Sequence, residues 1–343
     1  MSSNNNFFPT NKPHRRRAMR PNKKTWAKHI LLLILTFFTC TIAGTIYPFG
    51  KIPLFPELNS PEITSFFQVI ALLPSLYINL LTSSLTLLYT NSDILFYGLS
   101  FSLSVLFILI FHEMGHYIAC RIYGVDATLP YFIPTPPLVG PAGTFGAFIK
   151  IVSPMPSRKA VFDIGVAGPI AGFIALIPVI ILAFLTMEEA APQSLTFSEG
   201  DLYFSDPLLM QFCAFIFGRE LSLLIPNGFY FAAWLGLLVT ALNLIPSGQL
   251  DGGHAIYAVF GERVHYWTGR IAFVAMTIFS ILGIYFFGSP SGILFAIILA
   301  VMMRVKHPQP EHQEPLDSKR VVIAALTLLI FILCFVPIPV KIT

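Results

Sequence analysis

The sequence predicts an all-α polytopic membrane protein with about seven transmembrane helices, one re-entrant or interfacial segment and a small membrane-associated β element. The chain has 343 residues, of which 55% are hydrophobic and only 11% are charged, and its mean hydropathy is +0.74. Soluble domains contain about a quarter charged residues. Apolar runs close to the roughly 17 to 25 residues that span a bilayer recur at 29–48, 94–118, 160–186, 228–246, 271–287 and 321–338.

Residues 1–28 form a tail that is rich in Lys and Arg and contains no acid. A basic segment beside a transmembrane helix is typical of the cytoplasmic side, so we expect a cytoplasmic N-terminus rather than a nucleic-acid-binding arm. An organelle transit peptide has a similar composition and stays an open alternative. Behind the tail we expect a first helix and the re-entrant segment at 29–93, a membrane core at 94–270, and C-terminal helices at 271–343 with a Pro-rich linker at 307–320.

Charge predicts the topology of the remaining segments. The loop 187–206 contains acids and no Lys or Arg, whereas 119–159 contains basic residues, so the first is predicted outside and the second inside. The run 94–118 then crosses from outside to inside. The helix 29–48 ends outside and the run 94–118 begins outside, so the segment 65–90 between them cannot cross the membrane fully. Its apolar run is interrupted by polar residues and Pro74, and we expect it to be re-entrant or interfacial. The same alternation places the C-terminus outside, although the short run 291–303 is ambiguous.

The cysteines lie in or beside apolar runs and include no CxxC pair. Neither a disulfide framework nor a thiolate metal site is predicted. We expect Cys40, Cys120, Cys213 and Cys334 to be packing residues.

The stretch "FHEMGHYIAC", residues 111–120, ends an apolar run. His112 and His116 are spaced i, i+4, so in a helix they project from one face and can bind one metal ion, and Glu113 can reach a water at that metal. Ionisable groups inside a bilayer are costly and tend to be functional. His112 lies about 18 residues, or roughly 27 Å, into its helix, which predicts a metal site near the cytoplasmic boundary.

A catalytic zinc usually has three protein ligands, so a third must come from elsewhere. Asp251, in "NLIPSGQLDGGHAIYAVFG", is the best candidate, although it could instead form a turn with the following glycines or cap a helix. His254 is a rival ligand because imidazole binds zinc well. The remaining histidines are expected to be solvated, namely His14, His29, His265, His307 and His312.

Together, the HExxH motif and the N-x-x-P…LDGG stretch resemble the site-2 protease family, the intramembrane zinc metalloproteases of peptidase family M50. The resemblance covers roughly residues 94–270. The stretches "HEMGHYIACRIYGVDATLPYFIP", "GTFGAFIKI" and "NLIPSGQLDGG" are most similar to the branch that includes the plant chloroplast members and their bacterial relatives.

The resemblance implies a site as well as a family. His112, His116 and Asp251 would bind one Zn²⁺ per chain, Glu113 would be the catalytic base, and Asn243 would hold the substrate backbone or the oxyanion. The substrate would be a transmembrane protein within the lipid bilayer, with no nucleic-acid partner. The family often has Pro directly after this Asn, whereas this chain has Leu at 244 and keeps Pro at 246.

A transmembrane substrate must unwind before cleavage, because its peptide groups are bonded within its own helix. The stretch "TFGAFIKIVS" has strand-like composition, and Gly143 and Gly146 allow close backbone approach. We expect residues 143–151 to be an edge strand that binds substrate by β-addition. A cytoplasmic hairpin that only connects two helices is the alternative. "AGPIAG", at 167–172, predicts close helix packing.

Two other functions stay open from the sequence alone. A metal transporter would also place His and acidic residues in the membrane, and a catalytically inactive relative could act as a membrane chaperone. A bacterial inner membrane is the expected location, with a chloroplast membrane as the alternative.

Overall fold

The structure, a computed structural model, describes residues 20–54, 66–190, 200–305, 307 and 309–342. Within these residues the chain is mostly helical, with three small antiparallel sheets. The helices are α1 (Lys23–Thr45), α2 (Phe66–Thr90), α3 (Ser92–Tyr123), α4 (Arg158–Thr186), α5 (Leu208–Phe217), α6 (Gly228–Leu244), α7 (Asp251–Phe260), α8 (Glu262–Phe287), α9 (Ser291–Met302) and α10 (Ser318–Cys334). The strands are β1 (Tyr131–Pro134), β2 (Thr144–Phe148), β3 (Glu188–Glu189), β4 (Leu202–Phe204), β5 (Leu224–Ile225) and β6 (Val340–Ile342).

Five helices of the described chain, α1, α2, α3, α4 and α8, are long and apolar enough to cross a membrane. The apolar helices α6 and α9 are shorter, with 17 and 12 residues. α6 ends at Leu244 because Pro246 disfavours a helical conformation in the residue before it. The mostly helical architecture is confirmed, whereas the predicted count of about seven spans is not.

The segment 65–90 forms α2, a continuous helix of 25 residues that includes Pro74. Its placement as a re-entrant or interfacial segment stays a prediction. Its hydroxyl side chains bond to the carbonyl groups of their own helix, as with Ser84 Oγ to Leu80 O at 2.7 Å and Thr86 Oγ1 to Thr82 O at 2.8 Å. These polar residues therefore interrupt the apolar pattern without interrupting the helix.

Helix α3 lies at the centre of the fold and contacts α1, α4 and α6. Phe101 of α3, Leu176 of α4 and Leu237 of α6 are each 0% exposed. Glycine permits close approach here, since a Cβ added to Gly236 would lie 2.7 Å from Leu176 Cδ2. The helix that carries His112 and His116 is thus held on several sides by packed apolar side chains.

The predicted β element is present between α3 and α4. β1 and β2 pair with Tyr131 opposite Phe148, and β1 packs against α1. The pairing continues past β2, where Thr128 N donates to Lys150 O at 3.0 Å and Val152 N donates to Asp126 O at 2.7 Å. These two bonds flank the facing pair Ala127 and Ile151, whose own backbone groups therefore point away from the partner strand.

Two other contacts place loops at opposite ends of the molecule. β4, in the acidic segment 187–206, pairs with β6 near the C-terminus, as expected for two segments predicted on one side. At the other end, Arg158 N donates to His312 O at 2.9 Å, and both residues lie in segments predicted inside. Which end faces the cytoplasm stays a prediction.

All four cysteines are free, and Cys40, Cys120 and Cys334 are buried, as expected of packing residues. The prediction of solvated histidines was wrong for His29, which is 5% exposed and has Nδ1 2.7 Å from Pro130 O. α1 packs against β1 here, and the imidazole lies against the Tyr131 ring. The prediction was also wrong for His265 and His307, which are partly buried and contact protein groups. His14 lies outside the described residues.

Candidate metal centre

Three side chains converge at the end of α3 that leads to the β element. His112 Nε2 lies 3.4 Å and His116 Nε2 lies 3.3 Å from Asp251 Oδ2, and the two nitrogens are 3.2 Å apart. In a tetrahedral zinc site with bonds of about 2.0 to 2.1 Å, neighbouring ligand atoms are about 3.3 to 3.4 Å apart. The separation and chemistry of these donors therefore fit Zn²⁺.

Local sequence explains how the two histidines reach this position. Asn91 begins α3 by accepting hydrogen bonds from Asp93 N and Ile94 N, and Gly124 ends the helix in the left-handed conformation, with φ of 68°. The uninterrupted helix between them holds His112 and His116 one turn apart on a single face.

Asp251 reaches the same point from the start of α7. The N-cap of this helix is Leu250, so Asp251 is not the cap, and its carboxylate faces the imidazoles. Added Cβ atoms at Gly252 and Gly253 would lie 2.0 Å from Leu244 O and 2.5 Å from Gly248 O. Gly252 therefore lets the start of α7 pack against the end of α6, and Gly253 lets it pack against the loop that joins the two helices. Although burial would raise the pKa of Asp251, the neighbouring imidazoles of His116 and His112 hold it below its usual value.

Helix α4 supports the imidazoles from behind. His116 Nδ1 lies 2.6 Å from Ile164 O, which orients the ring and leaves Nε2 for a metal. Added Cβ atoms would lie 2.0 Å from His116 Nε2 at Gly168 and 3.2 Å from His112 Cβ at Gly172. The small residues at 167–172 do mark close packing, and their neighbours are the candidate ligands themselves.

Glu113 is 6% exposed and lines the same cavity as the three candidate ligands. Ile149, just beyond β2, lines the same cavity. Asn243 lies in the last turn of α6, with Nδ2 3.3 Å from His112 Nε2. The helix break after Asn243 occurs even with Leu244 in place of the proline that is frequent in the resembled family.

His254 does not join the donor set. Its Nδ1 lies 2.7 Å from His307 Nε2, and burial lowers the pKa of His254 to about 4. The group of metal-ligating side chains found among the described residues is His112, His116 and Asp251. His254 instead joins α7 to the segment that follows α9.

The cavity around these residues has a volume of about 760 Å³, and residues 147–151 form part of its lining. Gly143 and Gly146 are not in the lining. Gly143, with φ of 74°, packs against α1, where an added Cβ would lie 2.3 Å from Thr39 O, and Gly146 has φ of 90° beside open space. Only the second half of the predicted substrate strand therefore borders the site.

Comparison with known proteins identifies the family. Peptidase family M50 matches residues 100–286, which is more than half of the chain. The chain belongs to peptidase family M50. The matched residues include the candidate ligands His112, His116 and Asp251, together with Glu113 and Asn243.

The chain is similar in sequence to plant proteins. The probable zinc metalloprotease EGY1, chloroplastic, of Oryza sativa subsp. japonica is 28% identical over 84% of this chain and 47% of its own length. The protein of the same name from Arabidopsis thaliana is 26% identical over 94% of this chain and 56% of its own length. The chain thus spans about half the length of these relatives.

A solved structure, the site-2 protease from Methanocaldococcus jannaschii, is also similar. It is 15% identical, the similarity covers 75% of this chain and 85% of that one, and the TM-score is 0.29. The family assignment does not depend on this similarity.

Sequence reasoning missed several supporting residues. Ile164, through its carbonyl group, and Gly165, whose added Cβ would lie 2.7 Å from His254 Cβ, belong to the α4 surface behind the site. The spacing of Gly165, Gly168 and Gly172 on one helix face was the available signal. Gln309, which lines the cavity, carried no such signal.

Proposed function

We propose that this chain is an intramembrane zinc endopeptidase that hydrolyses a peptide bond in a transmembrane segment of membrane-protein substrates. The observation that carries the proposal is the set of three donor atoms at tetrahedral spacing with Glu113 beside them in one cavity. Membership of peptidase family M50 supports it, as do the relatives that are named probable zinc metalloproteases.

His112, His116 and Asp251 would hold one Zn²⁺. A zinc ion in such a site supplies Lewis acidity and makes water a competent nucleophile at neutral pH. The contact of His116 Nδ1 with Ile164 O fixes the orientation of one ligand. The α4 glycines keep the space beside both imidazoles clear of other side chains.

Glu113 is the proposed catalytic base. It takes a proton from the attacking water and delivers it to the leaving amine. Its buried side chain lies in the cavity lining beside the candidate ligands. Asn243 is proposed to donate a hydrogen bond from Nδ2 to the oxygen on which negative charge develops, since it lies within 3.3 Å of His112 Nε2.

Residues 149–151 are the proposed binding edge for the unwound substrate. Lys150 and Val152 use backbone groups to pair with the strand that leads into β1, so those of Ile149 and Ile151 point to the other side. This edge belongs to the cavity lining. A substrate strand added here would lie beside the candidate ligands, with its backbone bonds satisfied.

The proposed setting is a multi-pass protein with the basic tail 1–28 in the cytoplasm and the catalytic core at 94–270. The segments 29–93 and 271–343, with the linker 307–320, would flank that core. Cleavage near the cytoplasmic end of a substrate would release its cytoplasmic part, which is a means of regulated intramembrane proteolysis. A bacterial inner membrane is the proposed location and a chloroplast membrane the alternative, since relatives are named chloroplastic.

The test is a comparison of zinc content and proteolysis in liposomes for the wild type, Glu113→Gln and Glu188→Gln. Glu188 lies in β3, outside the cavity lining, and is the matched control. We expect Glu113→Gln to keep about one zinc per chain and to cleave model transmembrane substrates about 10²- to 10⁴-fold more slowly. The control should cleave like the wild type.

Three other outcomes would contradict the proposal or favour a different function. Undiminished cleavage by zinc-loaded Glu113→Gln would refute the proposed base. Metal flux across the liposomes with no cleavage by the wild type would favour a transporter. Stable binding of substrate with neither cleavage nor flux would favour an inactive membrane chaperone.

A further inference from the structure

The segment between α9 and α10 borders the metal cavity. We refer to His307 and residues 309–312 as the linker segment. Gln309 lines the cavity together with His112, Glu113 and Asp251. The linker segment lies beyond residues 100–286, which match the family, so this part of the cavity wall is additional to the matched core.

The linker segment is fixed on its C-terminal side. Glu311 N donates to Met155 O at 3.1 Å, and His312 O accepts from Arg158 N at 2.9 Å. Pro310 is buried. These contacts attach the segment to the residues that lead into α4, the helix that supports the imidazoles.

The linker segment is also fixed on its N-terminal side. His307 Nε2 lies 2.7 Å from His254 Nδ1, and the His307 ring stacks on Tyr257 with centroids 4.0 Å apart and planes at 15°. Both partners belong to α7, the helix that begins with Asp251. The linker segment therefore connects α7, which carries Asp251, with α4, which packs against His112 and His116.

Gln309 lies between these two attachments, and its side chain is exposed. Because the residues on both sides of Gln309 are fixed, little main-chain freedom is lost when its side chain binds a ligand, which favours a contact role. Its amide offers both donors and an acceptor. The strand edge at Ile149 and Ile151 pairs with the backbone of an extended peptide, which all substrates share. A preference between substrates therefore requires a contact with a substrate side chain, which the Gln309 amide can make.

We propose that Gln309 contacts the substrate beside the metal centre and is a specificity-determining residue. This inference rests on the proposed function. The extended substrate would pair through one edge with residues 149–151, while the Gln309 amide bonds to a polar group on its remaining side. Substrates that present such a group near the cleaved bond would be preferred.

The first experiment measures the contact without relying on cleavage. Gln309→Cys and Gln313→Cys, each in the Glu113→Gln background, are incubated under a mild thiol oxidant with transmembrane peptides that carry one cysteine at successive positions. Gln313 is the matched control, since it lies in the same loop with Nε2 3.5 Å from Tyr257 Oη and is outside the cavity lining. We expect disulfide cross-links to Gln309→Cys that are confined to a few adjacent peptide positions. No cross-link, or equal cross-linking at the two positions, would overturn the proposal.

The second experiment measures preference. Gln309→Leu, Gln313→Leu and the wild type are given a panel of peptides that differ in single residues around the cleaved bond. Loss of one hydrogen bond predicts that Gln309→Leu lowers kcat/KM about two- to tenfold for the preferred peptides only, with zinc content and Tm unchanged. An equal loss for every peptide would indicate a structural role and would refute the assignment.

The two experiments separate this inference from the proposed function. If the wild type cleaves nothing while Gln309→Cys still cross-links at defined positions, the contact stands and the protease proposal fails. If the wild type cleaves and Gln309 neither cross-links nor changes preference, the protease proposal stands and the role of Gln309 fails.

Discussion

Replacing Gly168 by alanine tests the metal centre most directly. The added Cβ would lie 2.0 Å from His116 Nε2 and 2.4 Å and 2.5 Å from two ring carbons. Carbon atoms in good contact are about 3.5 to 4.0 Å apart, so the ring would have to move by more than about 1 Å. Zinc sites hold their bond lengths within about 0.2 Å. The same movement would also break the 2.6 Å contact between His116 Nδ1 and Ile164 O. The displaced imidazole cannot serve as a ligand in its present orientation.

Loss of a hydrogen-bond partner of a metal ligand typically lowers metal affinity about 10- to 100-fold. We expect Gly168→Ala to weaken zinc binding by at least that much. This corresponds to about 1.4 to 2.8 kcal/mol of binding free energy. Gly172→Ala is the graded control, because its Cβ would lie 3.2 Å from His112 Cβ and requires a shift of only a few tenths of an ångström. Its effect should be clearly smaller.

The assay is competition for zinc against a chelator of known affinity, with Tm measured on the same samples. Wild-type affinity in Gly168→Ala would refute the reasoning, since the imidazole would then not need the space that glycine leaves. A loss of Tm without a loss of zinc affinity would also contradict it, because the strain would then lie in helix packing alone.

Three further outcomes follow from the same contacts. Asp251→Asn should weaken zinc binding by at least about tenfold in the chelator assay, and unchanged affinity would redirect the search for the third ligand to other donors. Ile149→Pro removes an N–H of the proposed binding edge, so cleavage should fall with zinc retained, whereas Ile149→Val should behave like the wild type. Arg320→Ala removes bonds of 2.8 and 2.6 Å to a carboxylate on α4 and should lower the free energy of unfolding by about 1 to 3 kcal/mol. Lys159→Ala, which removes only an exposed pair at 3.7 Å, should change that free energy by less than about 1 kcal/mol, and equal effects of the two variants would contradict this ranking.

The N-terminal half of the candidate site could be predicted from the sequence because it depends on local geometry. A spacing of four residues places His112 and His116 on one face of any helix, and an apolar run of sufficient length forms that helix in a membrane. The β element was predictable for the same reason, since strand composition and glycine turns act over a few residues. The count of about seven spans was not confirmed, because α6 and α9 have only 17 and 12 residues and the length of an apolar run does not decide whether such short helices cross a membrane.

Asp251 is an intermediate case. It lies more than a hundred residues from His116, and helix geometry alone left a turn, a cap and the rival His254 open. Resemblance to the site-2 proteases favoured Asp251, and the structure brings its carboxylate within 3.4 Å of both imidazoles. The close packing of Gly252 on the end of α6 and of Gly253 on the following loop decides this, and such contacts have no local signature.

Hydropathy and short motifs in the sequence alone therefore determined a mostly helical architecture, the two histidines with Glu113, and the family resemblance. Only the tertiary structure decided that glycines on α4 make room for the imidazoles, that residues 147–151 rather than Gly143 and Gly146 border the cavity, and that Gln309 lies at its edge. The physical reason is the range of the interactions. Helix periodicity and hydropathy act between near neighbours in the chain, whereas a cavity is formed by contacts between segments that are far apart in sequence.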